Sequence, residues 1–395
     1  VRRAAALATA LATVVLLAAC EALPPPVRPQ PPLPVEPRAR FEPVDWNALP
    51  GWREDDLEAA WTAFAAGCRA LKSGPLAPAC ARGAALPPSG QPPDAAALRA
   101  FLEREFVPWR IVAPDGRDQG LITGYFEPLL TGSRKRGGRF QHPLHAVPDD
   151  LLVIDLGAQH PQLKGMRLRG RLEGRRVVPY HDRARIVRGL PALAGRALAY
   201  VDSAFDAFFL HIQGSGRIRL DDGSILRLGF AEQNGHPYVP IGRVLIERGE
   251  LAAGEVTMQS IRAWAQRHPE KLGELLERNP SYVFFRELPP SDGGPPGSLG
   301  VPLTAGRSIA VDRRVVPLGA PVFLATRHPV TEAPLERLVF AQDTGGAIVG
   351  AIRADYFWGF GDEAGEAAGR QRHPGRMWLL WPRGAPPPQA VGSER

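Results

Sequence analysis

The sequence predicts a loop-rich, mainly β protein of two domains with some helix, and three observations carry that reading. Gly and Pro contribute 42 residues each to a chain of 395, a share well above the roughly 12% that is ordinary. Breakers at that density rule out a helical bundle or a coiled coil. At the same time 44% of the residues are apolar, enough for a packed core, so global disorder is excluded. Finally, the apolar pattern switches along the chain between helical steps and short strand-like runs bounded by turn residues. No Gly-X-Y period appears, which excludes collagen.

The formal net charge is +7, but the basic residues are 44 Arg against 4 Lys and are scattered along the chain. With so much Ala, Gly and Pro, this reads as the composition of a GC-rich genome, leaving only a modest attraction to anionic polymers. Residues 1–20 read as an export signal, with Arg2 and Arg3 before an apolar run too short to span a bilayer comfortably. The run ends Leu17-Ala18-Ala19-Cys20, which resembles a bacterial lipobox, so Cys20 is the expected lipidation site. Several acyl chains on one Cys anchor stably. Glu21 in place of Asp favours the outer membrane, facing the periplasm, and export argues against nucleic acid as a partner.

Residues 21–50 are expected to form a tether, since eight of the fourteen residues from 24 to 37 are Pro. Such a segment is extended, at about 3.1 Å per residue. Leu57, Trp61, Phe64, Cys68 and Leu71 then recur at helical steps after Asp55 and Asp56, and a second helix follows Asp94 with Leu98, Leu102 and Phe106 on one face. Cys68 and Cys80 are expected to pair in an oxidising compartment. Short strands follow at 121–126, 153–156, 175–178, 207–212, 218–220 and 225–228, with a hairpin turn at Asp221-Asp222-Gly223. Helix returns over 256–278 with a break at Pro269, residues 289–302 form a surface loop, and strands resume at 308–311, 321–324, 338–341, 347–352 and 377–380. Among nine His no HExxH occurs, and His142 with His145 is an isolated HxxH, so no metal and no cofactor is expected.

The densest chemistry lies at Gln342-Asp343-Thr344-Gly345-Gly346 and at Arg353-Ala354-Asp355-Tyr356-Phe357-Trp358. A carboxyl at a strand end precedes glycines that let backbone approach a ligand. A second carboxyl beside aromatic rings is partly desolvated, which raises its pKa towards the range of a proton donor. Aromatic faces stack on sugars, so together these read as a carbohydrate site with an acid catalyst. Asp343-Thr344-Gly345 also matches the aspartic-protease triplet, but that chemistry needs two such carboxyls and no second triplet exists in the chain. Asp343 reads equally as a turn cap. Gln213-Gly214-Ser215 does not spell a hydrolase elbow.

Asp312, Asp343 and Asp355 fall in a segment that resembles the three-aspartate domain. With Gly124-Tyr125-Phe126-Glu127-Pro128, Gln213-Gly214-Ser215-Gly216 and Gln233-Asn234-Gly235-His236-Pro237-Tyr238 before it, residues 52–382 resemble the membrane-bound lytic murein transglycosylase A family. The resemblance implies a double-psi β-barrel domain (51–123 and 236–382, the three-aspartate segment being 300–382). It also implies an inserted β domain (124–235), a substrate groove between the two, and a tail from 383 to 395. It implies cleavage of the β-1,4 bond from N-acetylmuramic acid to N-acetylglucosamine with a 1,6-anhydromuramyl end, and peptidoglycan strands as the partner. Cell-wall synthesis or division proteins are candidate protein partners. Asp355 would be the catalytic acid, Asp343 would orient or polarise it, and Asp312 would be structural. Gln213, Gly214 and Ser215 would line the groove, with Thr344 and Gly345 also at the substrate; Tyr125 reads either as a sugar platform or as core. Many relatives carry His-Phe where this chain has Arg353-Ala354. A non-catalytic glycan-binding lipoprotein is the alternative.

Overall fold

The computed structural model describes residues 38–86, 93–160, 163, 166 and 168–388. The expected signal, the lipidation site Cys20 and the Pro-rich residues 24–37 lie outside these. The strands are β1 (Arg40–Pro43), β2 (Phe106–Val112), β3 (Gly120–Glu127), β4 (Leu129–Ser133), β5 (His142–His145), β6 (Leu152–Ile154), β7 (Leu168–Glu173), β8 (Arg176–Pro179), β9 (Ala197–Val201), β10 (Ser215–Leu220), β11 (Ile225–Gln233), β12 (Val283–Leu288), β13 (Ser308–Val311), β14 (Pro321–Arg327), β15 (Pro334–Asp343), β16 (Arg353–Phe360) and β17 (Arg372–Pro382).

Six of them close a barrel. Around the ring β3, β16, β13, β15, β14 and β17 are neighbours in that order, and β17 returns to β3. Two of these contacts, β13 with β15 and β16 with β3, are parallel. Strand β17 is long enough to serve several partners: its start pairs with β3, its middle with β14 and its end with β2. Alternate residues such as Ile122, Ile309, Val311, Ala354 and Tyr356 point into a core shared with the helices Leu57–Ala70 and Ala95–Glu105. Each of those helices has an aspartate cap, Asp56 accepting from Ala59 N and Asp94 from Ala97 N. Cys68 and Cys80 form a disulfide that joins the first helix to the short Ala77–Ala84 helix.

The ends of the body differ from expectation. Residues 40–43 are not tether: β1 pairs with β2, and Leu49 and Trp52 are buried. Nor does the tail begin at 383, because the Arg383 side chain donates to the carbonyls of Glu103, Arg104 and Phe106. Those carbonyls end a helix and lack intrahelical donors, so a cation is favoured there.

The inserted domain is a six-stranded sheet in the order β12-β11-β10-β4-β9-β5, with a three-stranded sheet β6-β7-β8 beside it. Its boundary falls near 288 and not at 235. Strand β12 pairs with β11, and Ile241, Ile261, Trp264 and Leu275 pack on Phe205 and Phe208. Residues 207–212, expected as a strand, lie in the helix Ala204–Gln213. A six-residue apolar run fits either template, and what decides it is local: Ser203 caps the start, while Gly214 stops the end at φ 79°. Residues 347–352, also expected as a strand, form turns, because Ile348 N returns to Gly345 O and Gly350 sits at φ 130°.

Between this sheet and its helices a set of polar groups is buried with no carboxylate partner among the described residues. The Arg183 guanidinium donates to Asn279 O and Ser281 O and lies over the Phe208 and Tyr282 rings. His145 Nδ1 is 2.9 Å from the Tyr282 hydroxyl. Burial pushes His145 down to about 4, and burial followed by the Arg183 charge holds His211 well below the ordinary imidazole range. A histidine kept neutral when folded contributes stability that is complete above its unfolded pKa of 6.5 and is lost as pH falls through about 4. For His145 the difference corresponds to about 3 kcal/mol. His145→Gln removes the titrating group and is expected to flatten the fall of melting temperature across that window. An unchanged slope would show that the acid sensitivity lies elsewhere.

Candidate active site

Register places the two chemical carboxyls. On β13, Ala310 is opposite Asp343 of β15 on one side and opposite Asp355 of β16 on the other. Asp355 is in turn opposite Thr123 of β3, and Thr123 opposite Arg372 of β17. Directly opposed residues share a face, so Asp343, Ala310, Asp355, Thr123 and Arg372 form one row on the outer wall of the barrel. The two Asp backbones are two strand spacings apart, about 10 Å. One step along the strands, Tyr125 and Phe357 form a second row.

The carboxyls differ in their partners. Asp343 accepts at Oδ1 from Ser298 N and Oγ and from Thr344 N, each at 2.9 Å, and at Oδ2 from the Tyr125 hydroxyl at 3.1 Å. Among the described residues Asp355 accepts only from Thr123 Oγ1, at Oδ1 and 2.5 Å. Burial raises both pKa values. Four donors pull Asp343 back down, whereas Asp355 is lowered by Thr123 and the Arg353 charge and raised again by Asp343. Four donors favour the ionised form of Asp343, since a carboxylate only accepts, against the larger effect of burial. Negative charge on Asp343 is one of the influences that raise the Asp355 pKa, after burial. The two carboxyls thus differ in their surroundings: four donors meet Asp343 and one meets Asp355 among the described residues.

The remaining expected site residues divide. Tyr125 is core: it is buried among Phe357, Leu303 and Ile348, and its hydroxyl is committed to Asp343, so it offers no sugar platform. Burial and then the two Asp charges hold its pKa well above 10. Thr344 supports Asp343 and shares a hydrogen bond with Ser298. At Gly345 a Cβ would meet Ile348 Cγ1 at 2.7 Å, so the turn beside Asp343 requires glycine. Gln213 accepts from Phe126 N, joining the inserted domain to β3. Gly214 is that helix's left-handed cap and Ser215 is buried in β10, so neither lies in the groove. Asp312 is structural: it binds the Arg314 guanidinium and Gly350 N.

A groove of about 940 Å³ runs beside the row, between β3 and the inserted domain, with Thr123, Gly124, Phe126, Phe209, Gln213 and Arg372 among its lining residues. Thr123, Ser298 and Ala310 went unnoticed in the sequence. For Thr123 a signal existed, since it stands two residues before Tyr125 on an alternating strand; for Ser298, in a breaker-rich loop, none did.

Residues 121–286 match the MltA specific insert domain and residues 307–381 the 3D domain. Membrane-bound lytic murein transglycosylase A of Escherichia coli K12 is 38% identical over 280 residues, 69% of this chain and 68% of the relative. The chain belongs to the membrane-bound lytic murein transglycosylase A family. The Vibrio cholerae member is 32% identical over 67% of each chain. Among solved structures, MltA from Neisseria gonorrhoeae superposes at a TM-score of 0.76 with 40% identity, covering 89% of this chain and 94% of that one. The E. coli MltA structure with bound chitohexaose superposes at 0.64 with 31% identity, covering 88% and 95%. Family membership accords with a fold that is mostly β with some helix and has two domains.

Two outcomes follow for this transglycosylase-family site. Asp355→Asn is expected to raise the melting temperature at pH 7, and the gain shrinks as pH falls towards the unfolded carboxyl pKa near 3.8. The reason is sign: a raised folded pKa makes the native state the better proton binder, so the wild type loses stability as pH rises between the two values. Thr123→Val removes a donor to the ionised form, so the alkaline limb of the pH–rate profile should move upward. A limb that stays in place would separate that limb from Asp355.

Proposed function

We propose that this protein is a peptidoglycan lytic transglycosylase in which Asp355 alone serves as acid and then base. The observation that carries the mechanism is the unequal solvation of the two carboxyls. A conventional glycosidase needs a second carboxylate as nucleophile or water-activating base. Here the second carboxyl, Asp343, is occupied by four protein donors on both oxygens, which leaves it neither the freedom nor the basicity for that task.

The substrate supplies the nucleophile instead. Asp355 gives its proton to the glycosidic oxygen of the N-acetylglucosamine as the bond from muramyl C1 breaks. The muramyl C6 hydroxyl closes on C1 and returns its proton to the Asp355 carboxylate, so atoms balance without water. Intramolecular closure has an effective molarity of roughly 10⁵ M or more. The Asp343 charge, fixed by Ser298, Thr344 and Tyr125, keeps Asp355 protonated for the first step. The E. coli relative with bound chitohexaose supports a glycan strand in the groove.

The names of the relatives support attachment to a membrane, and among the described residues no helix is long and apolar enough to cross one. We assign attachment to acylated Cys20 at the outer membrane, facing the periplasm. Digesting purified sacculi with the soluble enzyme is expected to release fragments with 1,6-anhydro ends, and Asp355→Asn to slow this by 10² to 10⁴-fold, roughly the contribution of a positioned acid. Undiminished release would sink the role of Asp355. New reducing ends in place of anhydro ends would make the enzyme a hydrolase, and binding without any release would favour a glycan-binding lipoprotein.

A further inference from the structure

The row that carries the acid also carries a charge gradient that the reaction does not use. Its β15 end holds Asp343 and its middle Asp355, while its β17 end holds Arg372. Arg372 is exposed, and its guanidinium has no ion pair among the described residues. Arg353 lies two residues before Asp355 on β16, hence on the same face. Its Nη1 donates to Leu121 O and Ala354 O, and Nε and Nη2 have no protein partner among the described residues. The groove beside this row is lined by three arginines, Arg243, Arg370 and Arg372, and by no Asp or Glu. Arg243 and Arg370 each have one glutamate four residues away on their own helix, Glu247 and Glu366, outside the lining. Arg372 has no such counterion.

An arginine held on one side by backbone carbonyls presents its other edge as a planar fork, and that geometry suits a carboxylate better than a sugar hydroxyl. The sugars of the strand are neutral at their ring hydroxyls, so unpaired guanidinium groups gain less from gripping rings than from meeting a charged acceptor. Carboxylates in a murein strand sit on the substituent at muramyl O3. A lactyl carboxyl amide-linked to peptide is neutral, and the free carboxylates are those of the stem peptide. Arg353 is about 7 Å along β16 from Asp355, and Arg372 is two strand spacings across the sheet. These are distances a peptide on the cleaved muramyl residue spans.

Resting on the transglycosylase reading, we propose that Arg353 and Arg372 bind carboxylates of the stem peptide. They thereby set which face of the strand meets Asp355 and favour peptide-bearing over bare glycan. The acid end of the row would repel the same substituent, so the two ends act in one direction.

The test uses binding in an Asp355→Asn background, where ligand is not consumed. Three probes of four sugars are compared: a murein tetrasaccharide with its peptides, the same tetrasaccharide after amidase removal of the peptides, and chitotetraose. The peptide-bearing probe is expected to bind roughly tenfold tighter than chitotetraose at low salt, and this preference should shrink as salt screens it. Adding Arg372→Glu should bring the ratio of the two affinities close to one, whereas Arg372→Lys should retain part of it. That pattern separates charge recognition from a merely structural role. A ratio that Arg372→Glu leaves unchanged overturns the proposal. So does equal preference for the stripped tetrasaccharide, which would assign the recognition to the lactyl carboxylate exposed by the amidase. Failure of every probe to bind would bring down the glycan reading itself, while tight but equal binding of all three overturns only the peptide assignment.

Discussion

Everything at the site depends on one strand of backbone, β13, holding two carboxyl-bearing strands apart. Ala310 is buried between Asp343 and Asp355 in register, and the ladder sets the separation regardless of what the side chains would prefer. Closer together, the two carboxyls would share a proton as in a protease dyad; much farther apart, the charge of Asp343 would be screened before it reached Asp355. A single intervening strand gives an interaction that is electrostatic and not covalent in effect. The register shift between Ile309 and Ala310 on the β15 side matters here. It takes up Gln342, turning that side chain inward to Ser308 Oγ and Ala63 O, and brings Asp343 out onto the same face as Asp355.

The barrel that fixes this register is assembled from pieces far apart in sequence, and buried charge marks the joins. Asp55, just before the first helix, meets Arg307 and accepts from Leu338 N, all of them buried. Burial raises the Asp55 pKa before the Arg307 charge brings it back, so the pair adds little net stability while its loss would strand a buried charge. It specifies where the N-terminal helix docks. A second join serves the inserted domain. The chain leaves the barrel after Glu127 and returns through 289–307; Arg217 binds the buried Glu127, and Arg217 and Arg227 both reach Gly293 O. Both crossings are thereby tied to the sheet of the inserted domain, which places Gln213 and the groove against β3.

How much of this could be read in advance follows from the range of the interactions. Strand β13, the hairpin at Asp221-Asp222-Gly223 and the break at Pro269 rest on local turn and period rules, and the structure has them where the sequence placed them. Helix Ala204–Gln213 looks like a strand in the sequence because a short apolar run carries no period of its own. Strand β16 and the helix Asp362–Arg370 went unread because aromatic and small residues obscure the alternation. The motif residues Asp343 and Asp355 were legible as chemistry. Their division of labour was not, because it rests on Ser298, Tyr125 and Thr123, which lie between 45 and 232 residues away in the chain.

Position in the fold also bears on what an arginine does at 353, beside Asp355. A histidine beside Asp355 could itself titrate near neutrality, coupling two pKa values. The Arg353 guanidinium stays charged; its pull on the Asp355 proton is constant, and burial of the carboxyl is the larger influence on Asp355. What Arg353 adds is a fixed cation whose Nη1 is held by Leu121 O and Ala354 O. The outer row therefore combines a carboxyl whose pKa burial raises with the fixed positive charge of Arg353 two residues away. The same two-residue repeat of a β-strand puts Arg353 and Asp355 on one face of β16.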